Sequence, residues 1–174
     1  QATAEEISNH FLPHTSAYRE IWIDGQKHGQ ESEPEDVEPI YGAAYLPRKF
    51  KIGMALPEDN CIDVYTHDVG LLAVVESGRV EGYNVLVGGG LGVTPSVKNT
   101  FPRLADPMAF VPPGEVVRVL TAIVQVQRDY GNRENRRRAR LKYVIDEWGV
   151  ARFKTKVEEY LGGQALAPPR PIAV

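Results

Sequence analysis

Leu71-Leu-Ala-Val-Val-Glu-Ser-Gly-Arg-Val-Glu-Gly-Tyr-Asn-Val-Leu-Val87 carries two β-rich runs, Leu71 to Glu76 and Val80 to Val87, around Ser77-Gly78. A serine–glycine pair between two apolar runs is a hairpin signal. The second run feeds straight into Gly88-Gly-Gly-Leu-Gly92. Upstream, Phe50, Ile52, Met54 and Leu56 alternate with Lys51, Gly53 and Ala55, which predicts a half-buried strand stopped by Pro57. Downstream, Pro112-Pro-Gly114 opens a segment from Glu115 to Tyr130 that is apolar nearly all round, the pattern of a buried helix ended by Gly131. Val150, Phe153, Val157, Tyr160 and Leu161 form the apolar stripe of a last helix, stopped by Gly162-Gly163. Between hairpin and helices, Val93 to Pro113 holds several prolines and no period, and reads as loop. Strands before helices, with a central hairpin, predict an α+β fold, a central β-sheet with helices packed against it.

The flanks are simpler. Thr3 to Leu12 reads as a short helix closed by Pro13, and Tyr18 to Ile23 as an alternating strand ending at a turn, Asp24-Gly25. The acidic run Glu31 to Glu38 reads as a solvated connector. The chain therefore divides into a lead-in and connector over 1–40, an α+β domain over 41–163, and a Pro-rich tail over 164–174 that is expected to fray.

The chain has 174 residues, 43% hydrophobic and 25% charged, with a net charge of −3. That composition predicts an ordered globular domain with no global attraction to nucleic acid or membrane. Its one cysteine, Cys61, excludes a disulfide framework or a multi-thiolate metal centre within these residues. No apolar run approaches the length of a membrane span. A cytoplasmic location is the expectation, and the opening Gln1 reads as an internal position of a longer polypeptide.

Three stretches can carry chemistry. In Leu46-Pro-Arg-Lys-Phe-Lys51, strand geometry puts Lys49 and Lys51 on one face with Phe50 on the other. Two ammonium groups side by side repel unless solvent or an anion relieves them. In Val87-Gly-Gly-Gly-Leu-Gly92, glycines allow close backbone approach and can present N–H donors to an anion. This is neither the dinucleotide fingerprint nor a P-loop, since the third spaced glycine and the Gly-Lys-Ser/Thr ending are missing. From Arg128 to Lys142, seven cations face two carboxylates, and at helical spacing Arg133, Arg136, Arg137 and Arg140 would share one face. A solvated surface or a nucleic-acid-binding face also fits that run, though no nucleic-acid fold signature accompanies it. The four histidines lack metal-ligand spacing and read as structural or surface residues.

Leu12-Pro-His-Thr-Ser-Ala-Tyr-Arg-Glu-Ile-Trp-Ile-Asp24, Tyr45-Leu-Pro-Arg-Lys-Phe-Lys51, Asn84-Val-Leu-Val-Gly-Gly-Gly-Leu-Gly92, Lys98-Asn-Thr-Phe-Pro-Arg103, Gln127-Arg-Asp-Tyr-Gly-Asn-Arg133 and Ala139-Arg-Leu-Lys-Tyr143 together resemble the siroheme domain of the nitrite and sulfite reductase family, on its assimilatory sulfite-reducing side. The resemblance covers nearly the whole chain in the right order. It implies a six-electron reduction of sulfite to sulfide at siroheme coupled to a 4Fe-4S cluster. Electrons would come from ferredoxin or an NADPH-dependent flavoprotein. By the same resemblance Lys49 and Lys51 hold sulfite and help deliver protons. Arg48, Gly88, Gly89, Gly90, Lys98, Arg103 and Arg140 are expected near siroheme carboxylates. Lys51 stands where nitrite-reducing relatives tend to carry asparagine, which favours sulfite over the alternative substrate, nitrite. The family's substrate arginines lie upstream and its cluster cysteines downstream, so the chain alone is expected to be inactive and to need the remainder of the hemoprotein.

Overall fold

The computed structural model describes residues 2–14, 21–24, 26–28 and 37–171. Helix α1 (Ala2–His10) leads, followed by a small antiparallel pair, β1 (Ile21–Ile23) and β2 (Gln26–His28), turning at Asp24 with φ 50°. The expected strand start at Tyr18 and most of the acidic connector lie outside the described residues. Glu38, at the connector's end, is buried rather than solvated.

The main sheet has four strands in the order β3 (Ile52–Ala55), β4 (Val69–Glu76), β5 (Arg79–Val87) and β6 (Asp106–Val111). β3 runs parallel to β4, and the other neighbours are antiparallel. Ser77 (φ 50°) and Gly78 (φ 75°) both take positive φ between β4 and β5, the requirement of a type I′ hairpin turn. β6 corrects the expectation of loop from Val93 to Pro113. Its Pro107 pairs with Leu86 where the β5–β6 register shifts, so the irregularity accommodates the missing N–H.

Three helices complete the fold: α2 (Val116–Tyr130), α3 (Leu141–Trp148) and α4 (Val150–Tyr160). Alternation along the strands sorts the core into two sets. Val69, Leu71, Ala73, Tyr83, Val85 and Val87 pack with Val119, Ile123, Leu141, Ile145, Phe153 and Val157 of the helices. Leu72 and Leu86 join Ala55, Val64 and Ala105 in a smaller cluster. α2 is buried on most sides, as its composition predicts. His10 Nε2 lies 2.9 Å from Thr121 Oγ1 and ties α1 to α2, a structural role for that histidine.

The tail does not fray over its described length. Phe110 N–H donates to Ala167 O (2.9 Å), Asn84 exchanges two hydrogen bonds with the backbone of Arg170, and the Arg170 guanidinium stacks 3.8 Å from the Phe110 ring centroid. Residues 166–170 thereby cover the β6 side of the sheet.

The Asp129 carboxylate joins α2 to α4. It accepts from Arg128 Nε (2.6 Å) and Nη2 (2.8 Å) and from Tyr160 Oη (2.7 Å). The Arg128 guanidinium holds its pKa below the ordinary 3.8, against a smaller opposing effect of burial. A depressed carboxylate adds stability above its unfolded pKa and loses it as pH falls through the folded value. Denaturant melts near about pH 6 and about pH 3 should show a larger acid loss in the wild type than in Asp129→Asn. Equal losses would contradict this tie.

Candidate functional site

Three segments converge on one cleft. The first is the turn before β3. Arg128 Nη1 donates to Ile40 O (2.7 Å), and Arg133 donates to Ala44 O (3.1 Å) and Tyr45 O. Gly131 lies so close to Pro47 that a Cβ there would come within 2.6 Å of the proline Cγ. These contacts aim Arg48 and Lys49. Two arginines of the cationic run thus hold backbone rather than face a ligand.

The second segment is Arg133 to Arg140, where the structure corrects the expectation that these arginines share one helical face. Asn132 Oδ1 accepts from Asn135 N–H (2.7 Å), and Asn135 Oδ1 from Arg137 N–H (3.1 Å). Side-chain oxygens competing for backbone donors break an α-helix. Only a 3-10 turn, Arg136–Arg138, forms before α3 begins at Leu141.

The third is the loop after β5, and here the glycine expectation is corrected. Gly88 N–H donates to Asp68 O (2.8 Å), Gly89 N–H to His67 O (2.9 Å) and Gly90 N–H to Arg103 O (2.8 Å). None of the three donors is free for an anion. The glycines serve close packing instead: a Cβ at Gly89 would sit 2.3 Å from Tyr65 O and 2.5 Å from His67 O.

Arg48, Lys49, Arg136, Arg137, Arg140 and Lys142 line the resulting cleft of about 410 Å³, with Gly92, Val93, Thr94, Thr100 and Tyr143. Six of its eleven lining residues are cations and none is acidic. The side chains of Arg48, Lys49, Arg136 and Arg137 make no hydrogen bond or ion pair among the described residues, so their side-chain donors are available. A larger cleft of about 600 Å³, lined by Ile7, Phe11, Phe50, Ile52 and His67 among others, is mainly apolar and unsuited to a polyanion. Among the described residues no His/Cys/Asp/Glu group could hold a metal, and no helix is long and apolar enough to cross a membrane.

The remaining expected residues are placed differently. Lys51 is exposed beside the cleft but does not line it; its N–H donates to Asp68 Oδ2 (3.0 Å). Strand pairing fades there because that donor goes to a side chain. Lys98 is exposed on the loop between Thr94 and Thr100. Arg103 is turned inward, donating to Gly88 O and Leu104 O (both 3.1 Å) and pairing with Asp106, and it does not line this cleft.

Lys142 is the residue whose role sequence reasoning missed. Only 1% exposed, its ammonium donates to the carbonyls of Gly90 (3.0 Å), Gly92 (2.8 Å) and Phe101 (2.5 Å). Burial lowers its pKa, and neighbouring Arg140 adds to the effect. Its place in a basic run gave no sign that it pins a distant loop. Lys142→Met would strand the Gly92 and Phe101 oxygens. The expected cost is about 2–4 kcal/mol in a denaturant melt, from unsatisfied acceptors and lost charge-assisted bonds. A loss under about 0.5 kcal/mol would show that the pin is dispensable.

The α+β sheet-and-helix fold carries a cleft with cations and no carboxylate in its lining, a donor set chemically suited to a polyanion. The chain belongs to the family described as the nitrite and sulphite reductase 4Fe-4S domain, whose model matches residues 3–165. It is 48% identical over 173 residues to the sulfite reductase [NADPH] hemoprotein beta-component of Shewanella baltica (strain OS223), covering 99% of this chain and 30% of that protein. The homologue of the same name from Shewanella sp. (strain ANA-3) is 48% identical over 171 residues, again 30% of its length. The chain therefore spans about three tenths of the curated relatives it matches. A solved structure, that of the Mycobacterium tuberculosis NirA protein, aligns with TM-score 0.66 and 31% identity, covering 98% of this chain and 25% of that one.

Two cofactors are implied, and they fit these residues differently. Siroheme bears many carboxylates, which the available guanidinium and ammonium donors suit. A 4Fe-4S cluster takes four thiolates, and the chain has only Cys61, which is exposed. Its own residues do not fit the cluster.

Proposed function

We propose that this segment forms the cationic part of a siroheme cradle in a sulfite-reducing hemoprotein, the remainder of which supplies the cluster ligands and the other wall. The convergence of Arg48, Lys49, Arg136 and Arg137, whose side-chain donors are unpaired among the described residues, on a cleft with no acidic lining residue carries this reading. The 48% identity to proteins named sulfite reductase hemoprotein supports it.

In this reading Arg48, Arg136, Arg137 and Arg140 hold siroheme carboxylates, and Lys98 approaches from the bordering loop. Gly88, Gly89 and Gly90 shape the floor. Lys49 and Lys51, both exposed at its edge, hold sulfite and supply protons as its three oxygens leave as water. Bound siroheme supplies the route by which six electrons reach sulfur. The relatives' name, sulfite reductase [NADPH] hemoprotein beta-component, supports NADPH, through a second protein component, as the electron source. A flavoprotein would be that component, with ferredoxin the alternative donor.

The test is steady-state reduction of sulfite and of nitrite by the purified full-length hemoprotein. A kcat/KM for sulfite well above that for nitrite, in a protein carrying siroheme, is expected. Preference for nitrite, or a preparation that never takes up siroheme, would overturn the proposal.

A further inference from the structure

Asp68 lies at the entry to β4 and is fully buried, at 0% exposure. Its carboxylate accepts from three donors: Lys51 N–H at 3.0 Å on Oδ2, Arg140 Nη2 at 2.7 Å on Oδ2, and Arg140 Nε at 3.1 Å on Oδ1. Its backbone carbonyl takes Gly88 N–H at 2.8 Å. One residue therefore ties together the lysine segment, the glycine turn and an arginine of the cleft. These three are far apart in sequence.

The geometry also sets how Arg140 can act. Two of its donors, Nε and Nη2, are committed to Asp68, and its Nη1 lies over Gly90, where a Cβ would come within 2.9 Å. A guanidinium held this way is fixed in plane and cannot swing out of the cleft. Lys51, by contrast, has an exposed side chain and only its backbone held. The distance between the lysine segment and the arginine wall is thus set through the Asp68 carboxylate.

We infer that Asp68 is a positioning residue for the anion chemistry of this cleft, setting Lys51 against Arg140 without touching the ligand. The inference rests on the sulfite-reducing reading above. An uncharged residue at this place leaves the Arg140 guanidinium, 15% exposed, without its counter-charge, and lets both groups drift. Misplacement of a substrate-holding group by about an ångström costs up to roughly a hundred-fold in rate, so a change of about ten-fold is a moderate expectation.

Asp68→Asn in the full-length hemoprotein is expected to keep bound siroheme, to raise the sulfite KM about ten-fold, and to change kcat less. A residue that merely stabilises the fold would lower the melting temperature while the surviving protein kept wild-type kinetics, and that result overturns the inference. Where Asp68→Asn does not accumulate, the neutral pair Asp68→Leu with Arg140→Gln takes its place, with Arg140→Gln alone as reference, because leucine offers no acceptor to the Lys51 N–H. Equal sulfite KM values for these two would also overturn it, since the Lys51 tether would then carry no effect. A variant-free reading comes from amide hydrogen exchange of Lys51 in this chain. Slow exchange, despite the exposed side chain, is expected, and exchange as fast as an unprotected amide contradicts the tether. Wild-type hemoprotein that fails to reduce sulfite at all would defeat the functional reading, whereas the exchange result would still report on the tether.

Discussion

Gly89→Ala is expected to be among the most destabilising single substitutions in this chain, with a melting temperature well below that of the wild type. The new methyl would meet the backbone carbonyls of Tyr65 and His67 at 2.3 and 2.5 Å, and His67 N at 3.0 Å. None of these is a side chain that can rotate away. They belong to the segment that receives the Gly88 and Gly89 N–H groups, so moving it breaks those bonds too. Overpacking of a core costs about 1–3 kcal/mol where side chains can adjust, and a rigid backbone contact places this case at or above about 3 kcal/mol. Against a typical domain stability of about 5–15 kcal/mol that is a large share. Gly92→Ala is the control, because no atom lies within 4 Å of the place its methyl would occupy and a change within about 0.5 kcal/mol is expected. Thermal melts of the two variants decide it. Equal stability would mean that the glycine run is an open turn after all.

Lys51→Asn in the full-length hemoprotein should lower kcat/KM for sulfite by about a hundred-fold and affect nitrite less. The reasoning is electrostatic: a cation placed where charge builds up on a reacting anion contributes roughly 10²–10³ in rate. Asparagine keeps the backbone N–H that Asp68 holds, so the substitution removes the charge and spares the local structure. Sulfite turnover that survives unchanged would remove Lys51 from the chemistry and leave Lys49 as the candidate lysine. A parallel fall for both anions would make it a general anion contact without a part in selectivity.

Local signals announced most of the fold. Ser77-Gly78 can take the paired positive φ values of a tight hairpin, and the apolar ring of α2 and the stripe of α4 show in their spacing. β6 was hidden because Pro107 argues against a strand, and only the register shift opposite it makes the strand possible. The break in the basic run depends on which donors Asn132 and Asn135 capture, a matter of geometry that helical spacing does not register. At the site, Arg48, Lys49 and Arg140 were visible as cations in distinctive settings, and they do meet in one cleft. What spacing could not show is the long-range accounting of polar groups. Arg103 turns inward to Asp106, the glycine amides are satisfied by residues 67, 68 and 103, and Lys142 is buried under three carbonyls. Asp68 has no local pattern around it; its importance exists only once Lys51 and Arg140 are brought to it by the fold.

The central claim is that this cleft holds siroheme carboxylates. Its most direct test is reconstitution of siroheme-free, full-length hemoprotein with siroheme, followed by visible absorption, in the wild type and in Arg48→Ala with Arg137→Ala. Both arginines line the cleft and their side chains make no hydrogen bond or ion pair among the described residues, so truncating them should not disturb folding. Saturable uptake by the wild type, weakened at least about ten-fold in the variant, is the predicted result. A folded variant that takes up siroheme as tightly as the wild type would contradict it.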